Sequence, residues 1–390
     1  MPASVGRVRE PGRAAIGTWS GGRYLRFGEA IDEDRLEALL RPTPGGIDTV
    51  LTADAYGQGE ADSLLGRALS GVPRESYSLI GAVGHDFYEG DRDGPRGFPR
   101  FTDPRLRGPG EYADYLRMAA ERSLERIRAD SFDLLLLHNP DRTGYESEAV
   151  WDAMAGLRDE GLAGGIGVAP GPANGFTLDV VRCLERFGEQ IDWAMLILNP
   201  FEPWPGELAL DAAAENDVRV ITRVVDYGGI FWDDVTHETE LPKGDHRAFR
   251  PKGWIEEGRA KLDRVRPIAE RLGLTPMQLA CQWNLAHDAV ECVVPTLIQE
   301  QGPDAGPIEE KRAELEALPA EQLLSPDDVA EIRAVGDNAG SMALKGASPE
   351  HEGPERPDRW PLADELVDAG RRWGIDPDRD LRQVVTAERE

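Results

Sequence analysis

The chain alternates short apolar runs with longer segments in which apolar and polar residues are mixed. Eight runs of five or six mostly apolar residues stand out, at positions 14–18, 48–52, 78–83, 133–138, 164–168, 193–198, 218–223 and 291–295. Apolar runs of this length are typical of strands that are buried on both faces, as in a parallel sheet. We therefore predict eight parallel strands.

Between these runs, apolar residues recur at helical spacing. The segment 112–127 places its apolar side chains on one helical face, and Thr275 followed by Pro276 is typical of a capped helix start. Strands that alternate with helices in this way predict an α/β fold, the (β/α)8 TIM barrel. A doubly wound open sheet is the alternative, but no GxGxxG turn follows the first strand.

Three segments are longer than the barrel requires. Gly/Pro-rich and charged loops at 85–110 and 226–253 follow the third and seventh strands, which predicts extra loops on the C-terminal face of the barrel. The remainder forms a C-terminal tail. We predict a barrel over residues 1–335 and a C-terminal extension over 336–390 that is irregular at first and then helical, with helices expected at 361–373 and 377–384.

Charge and cysteine content exclude several functional classes. The chain has 72 acidic and 44 basic residues, a net charge of −28, which disfavours nucleic acid and anionic membranes as partners. Three cysteines without CxxC spacing predict neither a disulfide framework nor a structural zinc site. Since no apolar run resembles a signal peptide or a membrane span, we expect a cytoplasmic, acidic protein with a small-molecule substrate. The oligomeric state stays open.

Residues at the predicted strand ends form the candidate site, because TIM barrels build their active sites there. Tyr56 and His138 are suited to proton transfer and are our catalytic candidates. Other polar and aromatic side chains at these ends are candidate substrate contacts, namely Trp19, His85, Asp86, Asn139, Asn199, Arg223 and Asp226. A metal site built from His85, Asp86, His138 and Asp141 is an alternative, but no HxH or HExxH spacing supports it, and we predict no metal.

Several segments resemble the aldo-keto reductase family over about residues 14–335. Gly17-Thr18-Trp19 looks like the first strand of the family, and residues 52–69, which begin Thr-Ala-Asp-Ala-Tyr-Gly, are similar to its DTADVYGxGxSExxLGrAL segment. Residues 133–141 are similar to DLxxLHxPD, and 275–283 to tpaQlAlaW. The agreement in order and spacing makes the resemblance specific.

The resemblance implies carbonyl reduction with a catalytic Tyr, His, Lys and Asp. The Tyr and His positions fall on Tyr56 and His138, whereas the Asp position falls on Leu51 and the Lys position on Ala82. In such a site the lysine lowers the pKa of the tyrosine. Without the Lys–Asp pair, we expect Tyr56 to titrate closer to an ordinary phenol and to be a poorer acid at neutral pH.

The resemblance also implies NADP or NAD as a cofactor. The Ser-Asn pair that holds the nicotinamide falls on Ala169-Pro170, and the neighbouring Gln falls on Met195. In the segment that grips the adenosine phosphate, here 296–311, only Glu310 keeps a recognisable place. The candidate cofactor contacts are Asn199, Arg223 and Glu310. The loss of several hydrogen bonds predicts weakened NADP binding.

Three functions remain open at this point. The first is a divergent NAD(P)-linked oxidoreductase acting on a small carbonyl or sugar-like substrate. The second is a redox-inactive lyase or epimerase that uses Tyr56 and His138 as acid and base on a hydroxylated substrate. The third is a non-catalytic binding protein. The fold alone does not separate them.

Overall fold

The computed structural model describes residues 8–94, 97–171, 173–302 and 305–382 of the chain. Eight strands pair in parallel and in chain order. They are β1 (Ala15–Gly17), β2 (Thr49–Leu51), β3 (Ser78–Val83), β4 (Phe132–His138), β5 (Ala163–Ala169), β6 (Trp193–Ile197), β7 (Arg219–Arg223) and β8 (Val290–Val294). A parallel bridge between Ala14 and Val293 brings the two edge strands together and closes the barrel. The predicted (β/α)8 barrel is confirmed.

Helices follow the strands and cover the outside of the barrel. They are α1 (Glu33–Leu40), α2 (Glu60–Ala68), α3 (Tyr112–Ile127), α4 (Arg142–Glu146), α5 (Glu148–Asp159), α6 (Thr177–Phe187), α7 (Leu210–Glu215), α8 (Trp254–Leu272), α9 (Pro276–Leu285), α10 (Ile308–Glu316) and α11 (Pro326–Arg333). Thr275 caps α9 by accepting a hydrogen bond from the Gln278 amide at 3.1 Å. Within the described ranges, the helices include none with the length and apolar character needed to cross a membrane.

The barrel interior is apolar. Side chains on parallel strands alternate between the interior and the helix layer. Thus Leu51 faces inward, while the hydroxyl of Thr52 donates to Asp62 Oδ1 on α2 at 2.8 Å. The interior cluster comprises Ala15, Trp19, Leu51, Ala53, Ile80, Ala82, Leu134, Leu136, Ala169, Trp193, Met195, Ile221, Cys292 and Val294, and Tyr56 packs against it. This cluster forms an apolar floor beneath the C-terminal mouth of the barrel.

The C-terminal extension packs against α6. It contains a pair of short parallel strands, β9 (Gly346–Ser348) and β10 (Arg359–Pro361), and the helices α12 (Asp364–Arg372) and α13 (Pro377–Asp380). The Trp360 indole is fully buried and donates to Asp179 Oδ1 on α6 at 2.9 Å. We expected this segment to be irregular, whereas it contains a strand pair. The sequence did not predict this pair because the pairing depends on contacts with α6. Positions 383–384 of the predicted last helix lie outside the described residues.

Candidate active site

The structure brings Tyr56 and His138 together at the C-terminal mouth. Tyr56 begins a short turn after β2, and His138 is the last residue of β4. Their ring centroids are 5.6 Å apart with an interplanar angle of 88°, and Trp19 lies 6.3 Å from Tyr56 on the other side. Since the parallel strands of the barrel end on the same rim, residues far apart in sequence meet there.

Burial keeps both rings of this pair uncharged. Burial raises the pKa of Tyr56 to about 12, and the Arg223 guanidinium opposes this shift. Burial also lowers the pKa of His138 to about 3, and the positive charges of Arg223 and Arg100 lower it further. The His138 Nδ1 atom has no hydrogen-bond partner within the described residues. At neutral pH, a protonated phenol and a neutral imidazole therefore face each other.

A second imidazole, that of His85, lies beside this pair. The His85 ring centroid is 5.1 Å from that of His138. Arg100 Nη1 lies 3.0 Å from His85 Nδ1, and the side-chain amide of Asn139 lies 3.1 Å from His85 Nε2. The Phe98 carbonyl oxygen also lies 3.3 Å from His85 Nδ1, so this nitrogen faces both a donor and an acceptor, and its contacts fit either tautomer of the ring.

Arg223 places a guanidinium at the end of β7. Its Nη2 donates to the carbonyl oxygen of Pro170 at 2.8 Å and to that of Gly171. Its Nε and the Nδ2 of Asn174 are buried and have no hydrogen-bond partner within the described part of the chain. Both residues line a cavity of about 20 Å³ between the ends of β5, β6 and β7. A space of this size holds about one water molecule.

Three of the predicted substrate contacts form hydrogen bonds or an ion pair within the loops. The Asp86 carboxylate is fully buried and pairs with Arg107 at 2.5 Å, which anchors the 85–110 loop. Asn199 Oδ1 accepts from two backbone amides of its own turn, at 3.0 and 2.9 Å. Asp226 Oδ1 accepts from the Thr296 amide at 2.8 Å and thereby joins two loops. The polar atoms of these three side chains are therefore occupied within the protein.

The aldo/keto reductase family model matches residues 14–336. The chain belongs to the aldo/keto reductase family. Solved structures with the same fold include the holo form of aldo-keto reductase AKR11C1 from Bacillus halodurans, with 21% identity, coverage of 85% of this chain and 93% of that chain, and a TM-score of 0.59. The match to the glycerol dehydrogenase AKR11B4 from Gluconobacter oxydans has 20% identity, covers 98% of this chain and 98% of that chain, and has a TM-score of 0.57.

Two further relatives extend this comparison. An aldo/keto reductase from Klebsiella pneumoniae in complex with NADP and acetate has 19% identity, coverage of 85% of this chain and 95% of that chain, and a TM-score of 0.55. Among curated proteins, a probable voltage-gated potassium channel subunit beta of Oryza sativa subsp. japonica is 23% identical over 327 residues, which is 80% of this chain and 91% of that protein. At these identities, the structural likeness shows the shared barrel fold.

The family pattern implies polar contacts that hold a nicotinamide dinucleotide. The residues of this aldo/keto reductase at those positions do not fit that role. The positions implied for polar contacts carry side chains of the apolar interior, Leu51, Ala82, Ala169 and Met195. In the segment after β8, Glu310 is exposed, and the basic side chains are engaged within the protein. Lys311 pairs with Asp234 at 2.6 Å and Arg312 with Glu316 at 3.0 Å. A dinucleotide would need contacts other than those implied by the family pattern.

Sequence reasoning missed Arg100, which is buried between His85 and the end of β4. It donates to the His85 ring and to the backbone oxygen of Asn139. No sequence signal distinguishes it from the other arginines of the 85–110 loop, such as Arg105 and Arg107. Only the path of the folded loop carries it to the site. The described residues contain no group of three or more His, Cys, Asp or Glu side chains arranged to hold a metal ion.

Proposed function

We propose that this aldo/keto reductase acts as an oxidoreductase on the carbonyl or hydroxyl group of a small, hydroxylated compound. The observation that carries the proposal is the Tyr56–His138 pair, whose uncharged rings lie 5.6 Å apart at the barrel mouth. Hydrogen-bond donors that converge on one substrate oxygen in a dry site stabilise the charge that develops there. The apolar floor beneath Tyr56 supplies that dry environment.

In this proposal, each ring has a defined part. The phenol of Tyr56 donates a hydrogen bond to the substrate oxygen, and its high pKa keeps the proton in place before reaction. A neutral imidazole such as His138 polarises a carbonyl without carrying a net charge, as is known for other barrel enzymes. When an external hydride donor reduces the carbonyl carbon, the oxygen becomes negative and takes up the proton of Tyr56. Arg223 then stabilises the phenolate, because its positive charge favours the ionised form.

The reaction class rests on family membership. Relatives in the same family include a glycerol dehydrogenase and a reductase bound to NADP and acetate. These names support a redox reaction on a small oxygenated substrate. The proposal does not depend on the cofactor contacts that the resemblance implies.

A second candidate function is acid–base catalysis without hydride transfer, as in a lyase or an epimerase. Two observations favour it. The positions implied for cofactor contacts are apolar, and a second neutral imidazole, His85, lies 5.1 Å from His138. A paired set of imidazoles and a phenol suits proton transfer at a carbon next to a carbonyl group.

Nicotinamide fluorescence separates the two candidates. We expect NADPH or NADH to gain fluorescence on binding to the purified protein, and dihydroxyacetone to be reduced at the expense of the bound reductant. Replacement of Tyr56 by Phe should lower this turnover at least about 100-fold, whereas Tyr112→Phe, at a buried tyrosine on α3, should leave it unchanged. Absence of nucleotide binding, together with deuterium exchange of dihydroxyacetone protons in heavy water, would establish the second candidate instead.

A further inference from the structure

Two guanidiniums near the Tyr56–His138 pair, the buried one of Arg100 and the half-buried one of Arg223, form no ion pair with a carboxylate within the described residues, unlike other buried arginines. Arg107, Arg247 and Arg250 pair with Asp86, Glu300 and Glu202 at 2.5, 2.6 and 2.9 Å respectively. In the described part of the chain, neither Arg100 nor Arg223 forms a salt bridge, although acidic residues outnumber basic ones by 72 to 44. The charges of Asp141 and Asp358 act on Arg100 from beyond ion-pair distance, so neither guanidinium has a directly paired counter-charge.

The partners of these two arginines are dipoles rather than charges. Arg223 donates to the Pro170 and Gly171 carbonyls, and Arg100 to the Asn139 carbonyl and the neutral His85 ring. Both guanidiniums stay charged at neutral pH, although burial lowers their pKa. A buried charge without a counter-charge is costly unless a ligand supplies one. Arg223 also keeps a buried, unpartnered Nε for such a ligand.

We propose that the substrate carries a carboxylate or phosphate group that binds Arg223 within the field of Arg100, while its carbonyl or hydroxyl oxygen meets Tyr56 and His138. This inference rests on the proposed function and names its substrate class, a small organic acid or phosphate ester with an oxygen function near the charged group. Planar guanidiniums are well suited to recognise both kinds of anion.

Anion binding would also change the site chemically. Burial first, and then the positive charges of Arg223 and Arg100, lower the His138 pKa to about 3. An anion that neutralises these charges raises the His138 pKa. The imidazole then takes up a proton more readily when a charged substrate is bound. A neutral substrate would not produce this shift.

The test measures binding without nicotinamide, so that it is independent of turnover. Isothermal titration compares pyruvate with its uncharged counterpart hydroxyacetone, and dihydroxyacetone phosphate with dihydroxyacetone. We expect at least one anion to bind about tenfold or more tightly than its neutral counterpart. The difference between the two pairs then tells a carboxylate site from a phosphate site. Arg223→Gln and Arg100→Gln should each remove the preference, whereas Arg105→Gln, on an 83% exposed side chain of the same loop, should preserve it.

The outcomes are distinct. Equal binding of charged and neutral probes, no binding of either anion, or an equal loss in Arg105→Gln overturns the inference. A nuclear magnetic resonance titration of His138 with and without the tighter anion gives a second readout, in which an unchanged pKa also overturns it. If an Arg variant does not fold, the wild-type comparison still decides. Anion binding without any redox turnover would contradict the proposed oxidoreductase function while leaving the anion site in place.

Discussion

Replacement of Asp54 by Asn should stabilise this protein, and the gain should grow with pH. The Asp54 side chain is fully buried, and within the described residues no side-chain donor forms a hydrogen bond with either of its oxygens. Burial, and secondarily the charge of Asp62, raise its pKa well above the ordinary value. The native protein therefore holds a proton that the unfolded chain releases. The contribution of the protonated Asp54 carboxyl to stability is fully present below its unfolded pKa and is lost as pH rises toward its native pKa.

The size of the effect follows from proton linkage. One proton held only by the native state lowers the free energy of unfolding by about 1.4 kcal/mol per pH unit. Asn has nearly the volume of Asp, cannot ionise, and keeps an oxygen that can accept the backbone hydrogen bond of Ala55. We expect the advantage of Asn over Asp to grow by up to about 1.4 kcal/mol for each pH unit above the unfolded pKa, until the native carboxyl also ionises. Chemical unfolding at each pH measures this difference.

A control with the opposite sign is available in Asp328. It lies in the first turn of α11. The hydrogen bond from Ser325 is the main cause that lowers its pKa, and the neighbouring Arg271 lowers it further. Its contribution to stability is present above the unfolded pKa and is lost as pH falls. Asp328→Asn should therefore destabilise the protein at neutral pH, and the loss should shrink in acid. A pH-independent difference for Asp54→Asn, or a destabilisation at neutral pH, would refute the reasoning.

Three further predictions concern the site and the tail. Because burial and the nearby arginines lower the His138 pKa to about 3, its ring should stay neutral at about pH 5 in the free protein, and its contribution to stability should grow as pH rises from about 3 to 6.5. A His138 resonance that titrates near 6.5 would contradict this. A Cβ at Gly84 would lie 2.6 Å from the His138 carbonyl oxygen, so Gly84→Ala should lower turnover about tenfold or more by displacing the end of β4, and unchanged kinetics would count against that coupling. Trp360→Ala should cost about 3–5 kcal/mol and expose the tail to proteolysis, since this side chain is fully buried. A loss below about 1 kcal/mol would mean that the tail contributes little to folding.

The barrel could be predicted from the sequence because its signals are local. Each strand is a short apolar run, each helix carries its own periodicity, and the alternation of the two leaves few topologies. The location of Tyr56 and His138 at one rim follows from the same argument, since parallel strands that pair in order end on the same side. The absence of charge at positions 51 and 82 is likewise visible in the sequence, and the structure places Leu51 and Ala82 in the apolar interior with which Tyr56 packs.

The electrostatics of the site required the folded chain. Whether Asp86 or Arg223 is free for a ligand depends on partners that the sequence does not reveal, such as Arg107 for the first and backbone carbonyls for the second. Arg100 reaches Asn139 across 39 positions, and Arg223 reaches Pro170 across 53. Strands and helices are specified by neighbours within a few residues, so the sequence alone determined them. The pairing of buried charges is set by groups that only tertiary packing brings within hydrogen-bond distance, and that is why only the structure decided it.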